Sequence, residues 1–486
     1  MTAKNILRYL LLGAVFVPSA LFPSPCRGEN AQAPETSVTL RDQEGISVTV
    51  YNEDLALVRD RRRVLLRKGD NRLAWEEVSS KMQPETALLS IQGNPPGFNV
   101  IEQNFDFDLL TPQKLLEKYI GRTVQVVKTN PATGVESSEK AKVLATSEGV
   151  VLKIGDRIET GMPGRLVYPE IPPDLRDRPT LVLLVQSSAE GPRYLELNYL
   201  TTGLSWRADY TAELIPEENR INLSAWASLT NRSGIDYRSA EVQLVAGKVN
   251  RVAPQQPRPV MYEAALAKSA PPMAEENIFE YHLYTLVRPL SLQDNQSKQV
   301  ALMEAADIPV VREYLLRGAD YYYRNSSQNL GGNTAIGVFL EFRNDSKAGL
   351  GQPLPAGVFR VYQKEPEGNA RFVGEDRLEH TPKGGKVRVR LGEAFDVTAE
   401  RRQTEFKKLA GTGRFNYVFE SAYRIVLKNS KKEPVTVKVE EPIPGDWEMI
   451  DENHPHEKKA ANLAAWPLDV PAEGESVLNY RVRVKF

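Results

Sequence analysis

Residues 195–251 read LELNYLTTGLSWRADYTAELIPEENRINLSAWASLTNRSGIDYRSAEVQLVAGKVNR, and the class of the whole chain is decided here. Tyr210, Ala212 and Leu214 alternate with polar positions, and beyond a Pro-Glu-Glu-Asn turn Ile221, Leu223, Ala225, Ala227 and Leu229 do the same, which is the period of a half-buried strand. The second run stops at Asn231-Arg232-Ser233-Gly234, residues that favour turns, and Ala240, Val242, Leu244 and Ala246 begin a third alternation. The expectation is a three-strand meander, with Trp206, Tyr210 and Trp226 as its heavy apolar mass.

Working outward, 486 residues suffice for several cores, and 41 % hydrophobic with 26 % charged residues is ordinary globular composition. The 62 basic and 63 acidic side chains nearly cancel, so no whole-molecule field draws nucleic acid, and no nucleic-acid partner is expected. Lys4 and Arg8 followed by an apolar run from Tyr9 to Phe22 read as a secretory signal, expected over 1–28, with the mature chain starting between Glu29 and Pro34. The run is short of a membrane span and contains Pro18, so no transmembrane span is expected after cleavage. Cys26 is the single cysteine and follows Pro25, where lipid attachment wants a small residue; cleavage beyond it leaves no thiol for disulfides or catalysis. The expected location is exported: periplasmic, outer-membrane-associated or extracellular.

Residues 36–195 read as an N-terminal β domain. Its densest basic cluster, Asp60 to Arg63 with Arg67 and Lys68, reads as charges on the solvent side of strands, because no aromatic interleaving is present to stack bases. The clearest helix is expected at 108–120, capped by Thr111, with Pro112 in its first turn and Gly121 at its end. Short strands separated by Asn-Pro-Ala-Thr-Gly, Ser-Glu-Gly and Gly-Asp turns follow, so 105–166 is expected as a small inserted SH3- or Sm-like barrel carrying that helix.

From 196 to 486 the pattern is a core of antiparallel β-sandwich modules. It is interrupted at 253–274 by a Pro/Ala-rich segment without periodicity, expected as a flexible linker that proteases reach first. A loose echo runs through it: a strand ends at an Asn near a Ser in LTNRS (Asn231), EFRNDS (Asn344) and LKNS (Asn429). The last such unit fits a terminal immunoglobulin-like module at about 416–486. The fold class is therefore mainly β.

Chemistry-bearing constellations are few. Asp451-Glu452-Asn453-His454-Pro455-His456-Glu457 places two imidazoles two residues apart beside carboxylates, so His454 and His456 are the candidate metal ligands, although Pro455 and Lys458-Lys459 fit an exposed turn better. His282 and His380 have no partner in sequence. No nucleophile elbow, Walker loop, dinucleotide glycine pattern or zinc-protease motif occurs, and Gly411-Thr412-Gly413 lacks the later glycine of a phosphate cradle. No catalytic residue, cofactor or cofactor-binding residue is expected. Leu478, Tyr480, Val482, Val484 and Phe486 alternate like the last strand of an outer-membrane barrel, but the repeated amphipathic strands of such a barrel are missing.

VYNEDLALVRDRRRVLLRKGDNRLAW near the start resembles a known family, as do YLTTGLSWRADYTAEL and LTNRSGIDYRSAEVQL in the centre and PLPAGVFRVYQKE with RFVGEDRLEHTPKGGKVRVRLGEAFDV from position 353 on. It is the bacterial family of unknown function that includes the mucoidy inhibitor A-like proteins. The resemblance covers most of the mature chain, is most specific over 354–397, and implies an exported, β-rich envelope protein with no established reaction. Mucoidy-inhibitor-like members carry a coiled-coil insertion where this chain has the segment 105–166, so a shared partner does not follow. The expected function is a non-catalytic binding or structural/assembly module of the envelope, with an unidentified envelope protein or surface polymer as partner. The alternative is an envelope hydrolase acting on glycan or peptide through a carboxylate/histidine cluster.

Overall fold

The computed structural model describes residues 34–486 apart from 94, 107, 173–174, 216–218, 248, 250–274, 279–280, 327–329, 331–332, 365–368 and 412–414. The expected signal segment 1–28 and linker 253–274 lie outside the described residues. The fold is mainly β, arranged as several sheets, and among the described residues there is a single α-helix, Pro112–Lys118.

Residues 195–251 do not form the meander expected of them. Leu204–Ile215 and Arg220–Asn231 make the hairpin in full register, Leu204 opposite Asn231 and Ile215 opposite Arg220. Tyr237–Ala246 then leaves for a different sheet, where it runs parallel to Gln43–Tyr51, Leu244 opposite Val50. Alternation records that a strand has one buried face and is silent on which neighbour it joins, and this ambiguity accounts for the miss. Trp206 and Tyr210 are buried as expected, but Trp226 belongs to the other parity of its strand, faces outward and is 38 % exposed.

Followed in chain order, the ladders describe one topology twice. In the first copy Gln43–Tyr51 pairs antiparallel with Leu55–Leu66, which pairs with Gly191–Thr201. Leu204–Ile215 pairs with Arg220–Asn231, which pairs with Gln296–Pro309, while Tyr237–Ala246 lies parallel to Gln43–Tyr51 and antiparallel to Tyr281–Thr285. In the second copy Val311–Arg317 pairs with Asn333–Arg343, which pairs with Lys386–Leu409. Lys386–Leu409 also pairs with Val418–Asn429, which pairs with Gly474–Lys485, while Val435–Pro442 lies parallel to Val311–Arg317 and antiparallel to Leu463–Val470. The strand Lys386–Leu409 thus does alone what Gly191–Thr201 and Leu204–Ile215 do together. The break between those two contains Gly203 at φ +86, where a Cβ would meet the Arg232 carbonyl oxygen at 2.6 Å.

The echo of asparagines marks equivalent points. Asn231 Nδ2 donates to the carbonyls of Ile235 and Leu292 and its Oδ1 accepts from Ser233 N; Asn429 Nδ2 donates to Glu433, Val470 and Pro471 and its Oδ1 accepts from Lys431 N. Each buried side chain closes its own turn and pins the end of a neighbouring strand, supplying partners that buried backbone groups require. Asn344 does the same between Gly351 N and the carbonyls of Gln352 and Pro382.

There are two apolar clusters: one, from Val38 to Val389, is built mainly by the first copy but takes in Leu340, Phe342, Phe359, Val387 and Val389 from strands of the second, and the other, from Tyr314 to Val484, belongs to the second copy. The strands at 416–486, expected as a terminal immunoglobulin-like module, take Val311–Arg317, Asn333–Arg343 and Lys386–Leu409 into the same nine-stranded sheet. The copies also interlock: Gly357–Lys364, from the second, lies parallel to Leu204–Ile215 of the first and carries Ala370–Leu378 on its outer side.

The insert at 105–166 leaves and rejoins a four-stranded sheet at adjacent points, Asp106 opposite Thr180. Its five strands form one sheet over a core of Leu116, Tyr119, Val126, Val143 and Leu152. The sheet is not a closed barrel. Its edges, Arg157–Thr160 and Arg165–Val167, have no ladder between them, and strands this short carry too few backbone pairs to bring the edges round. The helix is shorter than the expected 108–120, and Thr111 caps it by accepting from Lys114 N at 3.1 Å.

Candidate functional site

Leu204–Ile215 and Arg220–Asn231 turn their apolar parity inward, so the other parity builds the outer face of a five-stranded sheet completed by Gln296–Pro309, Gly357–Lys364 and Ala370–Leu378. On Arg220–Asn231 that parity reads Asn222, Ser224, Trp226, Ser228, Thr230: one indole in a row of amide and hydroxyl groups. Trp226 stands between Asp209 and Ala301 across the ladders, small neighbours that leave its ring open to solvent.

Beside the ring a chain of hydrogen bonds crosses all five strands. Gln299 Nε2 donates to Ser228 Oγ at 3.0 Å, Ser228 Oγ donates to Asp209 Oδ2 at 2.6 Å, Arg360 Nη1 donates to Asp209 Oδ1 at 2.9 Å, and Arg360 Nε donates to Glu375 Oε2 at 3.1 Å. Arg207 Nε adds a bond to Asp209 Oδ2 at 3.2 Å. Burial pushes the Asp209 carboxyl up, but the donors Ser228, Arg360 and Arg207 outweigh it and hold the group below the usual aspartate value. Asp209 is thus an ionised, 5 % exposed anchor that fixes two guanidinium groups in place. Beyond Ser228 the face dips into a hollow of about 530 Å³ lined by Ser205, Arg207, Ser228, Thr230, Lys298 and Gln299 among others, with no carboxylate in its lining.

The residues singled out in the sequence lie elsewhere. His456 Nδ1 sits 2.9 Å from Glu452 Oε1 between the rings of Trp447 and Trp466, and Trp466 Nε1 donates to Glu452 Oε2 at 2.9 Å. His454 points outward, its backbone carbonyl accepting from Trp466 Nε1, so the two imidazoles do not converge. Among the described residues no group of three or more His, Cys, Asp or Glu is placed to hold a metal ion. His282 and His380 meet on the walls of one hollow of about 170 Å³ with Tyr284 and Leu354. The basic cluster is split by strand parity: Arg59, Arg61 and Arg63 face solvent, whereas Arg62 turns inward and is buried on Asp60, whose Oδ2 also accepts from Trp75 Nε1 at 2.9 Å.

A second polar cluster lies inside the second copy, where Arg401 Nη2 donates to Glu441 Oε1 and Tyr323 Oη donates to Glu441 Oε2 at 2.9 Å. Burial pushes the Glu441 carboxyl up, with Arg401 and Tyr323 pulling it part of the way back. Arg401 is 1 % exposed and Glu441 0 %, so no substrate reaches them and the cluster is structural.

The sequence reading missed Trp226, Asp209 and Arg360 as a group. For Trp226 the signal was present: its parity is the polar one. Nothing local announces that Arg360 reaches Asp209, because the strands carrying them lie 151 residues apart in the chain.

Residues 195–486, more than half of the chain, match the model of a domain of unknown function, DUF4139. The match starts inside Gly191–Thr201, so the first two strands of the first copy lie upstream of it. No curated protein matches the chain. Among the described residues no helix is long and apolar enough to cross a membrane.

Proposed function

The chain belongs to the DUF4139 family of bacterial domains of unknown function, and we propose that it serves as a non-catalytic binding or assembly module of the cell envelope. One observation carries this reading: the outer face of the sheet around Trp226 combines an exposed indole with guanidinium groups already fixed by Asp209. Rigid polar groups around an aromatic anchor are what a recognition surface needs, since little ordering entropy remains to be lost on binding. In this reading each copy is a β-sandwich, the insert is an open relative of SH3- or Sm-like barrels, and the chain is a distant member of the group that includes the mucoidy inhibitor A-like proteins. The N-terminal 28 residues act as its export signal.

The test is photocrosslinking from a benzophenone residue at Ser224 or Thr211, beside the ring, in intact cells, followed by fractionation and mass spectrometry. The expected result is a processed chain starting between 29 and 34, found in the envelope fraction and carrying crosslinks that vanish in Trp226→Ala. An intact Met1 in the cytosolic fraction, or crosslinks indifferent to Trp226, overturns it. The hydrolase reading is weakened by the Glu452–His456 contact, whose carboxylate already serves His456 and Trp466.

A further inference from the structure

We propose that the face around Trp226, together with the hollow beside it, is a binding site for an acidic saccharide. This rests on the reading of the protein as a binding module and names the chemistry of what it binds. An indole open on one face offers a flat π-surface to the C–H groups along one side of a pyranose ring. Ser228, two residues along the same strand and so about 7 Å away, marks where the hollow begins, a spacing that lets one ring stack while its neighbour enters. The lining there is hydroxyls and an amide, Ser205, Ser228, Thr230 and Gln299, groups that both donate and accept as sugar hydroxyls do.

The sign of the ligand follows from the charges. Arg207 is the cation that the outer face presents to the hollow, and no carboxylate is among the lining residues; Lys298, opposite Leu229 on the inward parity, turns its ammonium to the Ser291 carbonyl instead. Arg207 spends its Nε on Asp209 while its side chain remains 67 % exposed, which leaves the rest of its fork for a carboxylate, phosphate or sulfate on the sugar. A protein partner fits less well. The centre of a protein interface is apolar and dry, whereas the immediate neighbours of Trp226 across and along the strands are Asp209, Ser224 and Ser228, and the sheet's other outward aromatic pair, Tyr362 with Phe372, stands on its far strands.

The second copy acts as an internal control. Counting back from the equivalent asparagines through the same register, Trp226 corresponds to Arg424, Asp209 to Arg402, Arg207 to Glu400, Ser228 to Val426 and Thr230 to Lys428. The topology does not demand this set of residues. It occurs once, on the copy that also has the hollow.

The experiment uses the full mature chain and measures binding by calorimetry and tryptophan fluorescence with galacturonate oligomers, sulfated dextran and neutral dextran. The expected result is binding of one or both acidic probes in preference to neutral dextran, weakened as salt is raised. Trp226→Ala should lose at least tenfold in affinity and Trp226→Phe should retain most of it. Arg207→Ala should abolish the acidic preference, and Arg424→Ala should change nothing. A dichroism melt superimposable on the parent shows that each variant folds. Whichever acidic probe binds identifies the anionic group as carboxylate or sulfate-like. Equal binding of neutral dextran overturns the acidic assignment. If no probe binds, or Trp226→Ala binds as well as the parent, the saccharide site is overturned; crosslinks in cells that still depend on Trp226 then leave the binding module standing with a protein partner, and crosslinks that do not depend on it remove both.

Discussion

The two copies of the repeated topology share their ladders and their asparagine pins but not their buried charges. In the first, Asp60 and Arg62 sit two residues apart on one strand, completed by Trp75 and Gln43. In the second, Arg401 and Glu441 come from two strands and are joined by Tyr323 and, through it, Tyr480. These pairs occupy non-equivalent positions, whereas Asn231 and Asn429 make the same bonds to the second and fourth residues beyond them. The difference separates what the topology requires from what each copy has added: strand parity and the pinned turn recur, and ion pairs, outer faces and insertions are free to diverge.

The largest expected break of this comparison is Arg401→Ala, which leaves Glu441 buried without its cation. Removing one partner of a buried pair costs about 3–5 kcal/mol, so urea unfolding should become biphasic, with the second copy melting first. A single transition at the parent midpoint would refute it. Next come Asn231→Ala and Asn429→Ala, each stripping buried backbone carbonyls of their donor at roughly 2–3 kcal/mol. The comparison sharpens if the two losses agree within error and breaks if one is negligible.

Smaller effects fall on the second copy alone. At Gly318 an added Cβ would lie 2.0 Å from Glu441 Oε2, so Gly318→Ala should cost about 1–3 kcal/mol in thermal unfolding, and the cost should shrink in Glu441→Ala if the two groups truly compete for space. The smallest is a pH effect. Burial pushes the Glu452 carboxyl up, but His456 and Trp466 outweigh it and hold the group below its ordinary value of 4.5. A depressed carboxylate contributes its stability in full above that ordinary value and loses it as pH falls through the lower folded value. Because the pair is partly solvated, the contribution is below about 1 kcal/mol, visible as a steeper acid limb of the unfolding curve that Glu452→Gln removes.

Strand content, the hairpin at 204–231 and the Asn echo were legible because each rests on neighbours in sequence. Pairing partners were not. Tyr237–Ala246 alternates identically whether it lies against Arg220–Asn231 or, as it does, against Gln43–Tyr51, and no local pattern distinguishes parallel company from antiparallel. The candidate site was half legible. Trp226 shares its parity with Ser224 and Ser228, which already places it outside the core, but the contact from Arg360 to Asp209 depends on a strand contributed by the other copy. For the histidines the weighing lay in the turn: spacing two apart on a strand would put both side chains on one face, but Pro455 and the turn expected around it send His454 and His456 to different surroundings.

The parallel pairing of Gln43–Tyr51 with Tyr237–Ala246 sets a timetable for synthesis. Thr49 Oγ1 donates to Gln243 Oε1 across 194 residues of chain. At about 5–20 residues per second, one edge of the first long strand waits on the order of 10–40 s after emergence for the partner that will close it. Gly357–Lys364, which covers Leu204–Ile215, comes later still. During that interval the nascent chain displays open strand edges, the kind of surface that recruits unwanted strands. A holding factor that covers this stretch until residue 246 and then 364 have been made would keep those edges from pairing elsewhere.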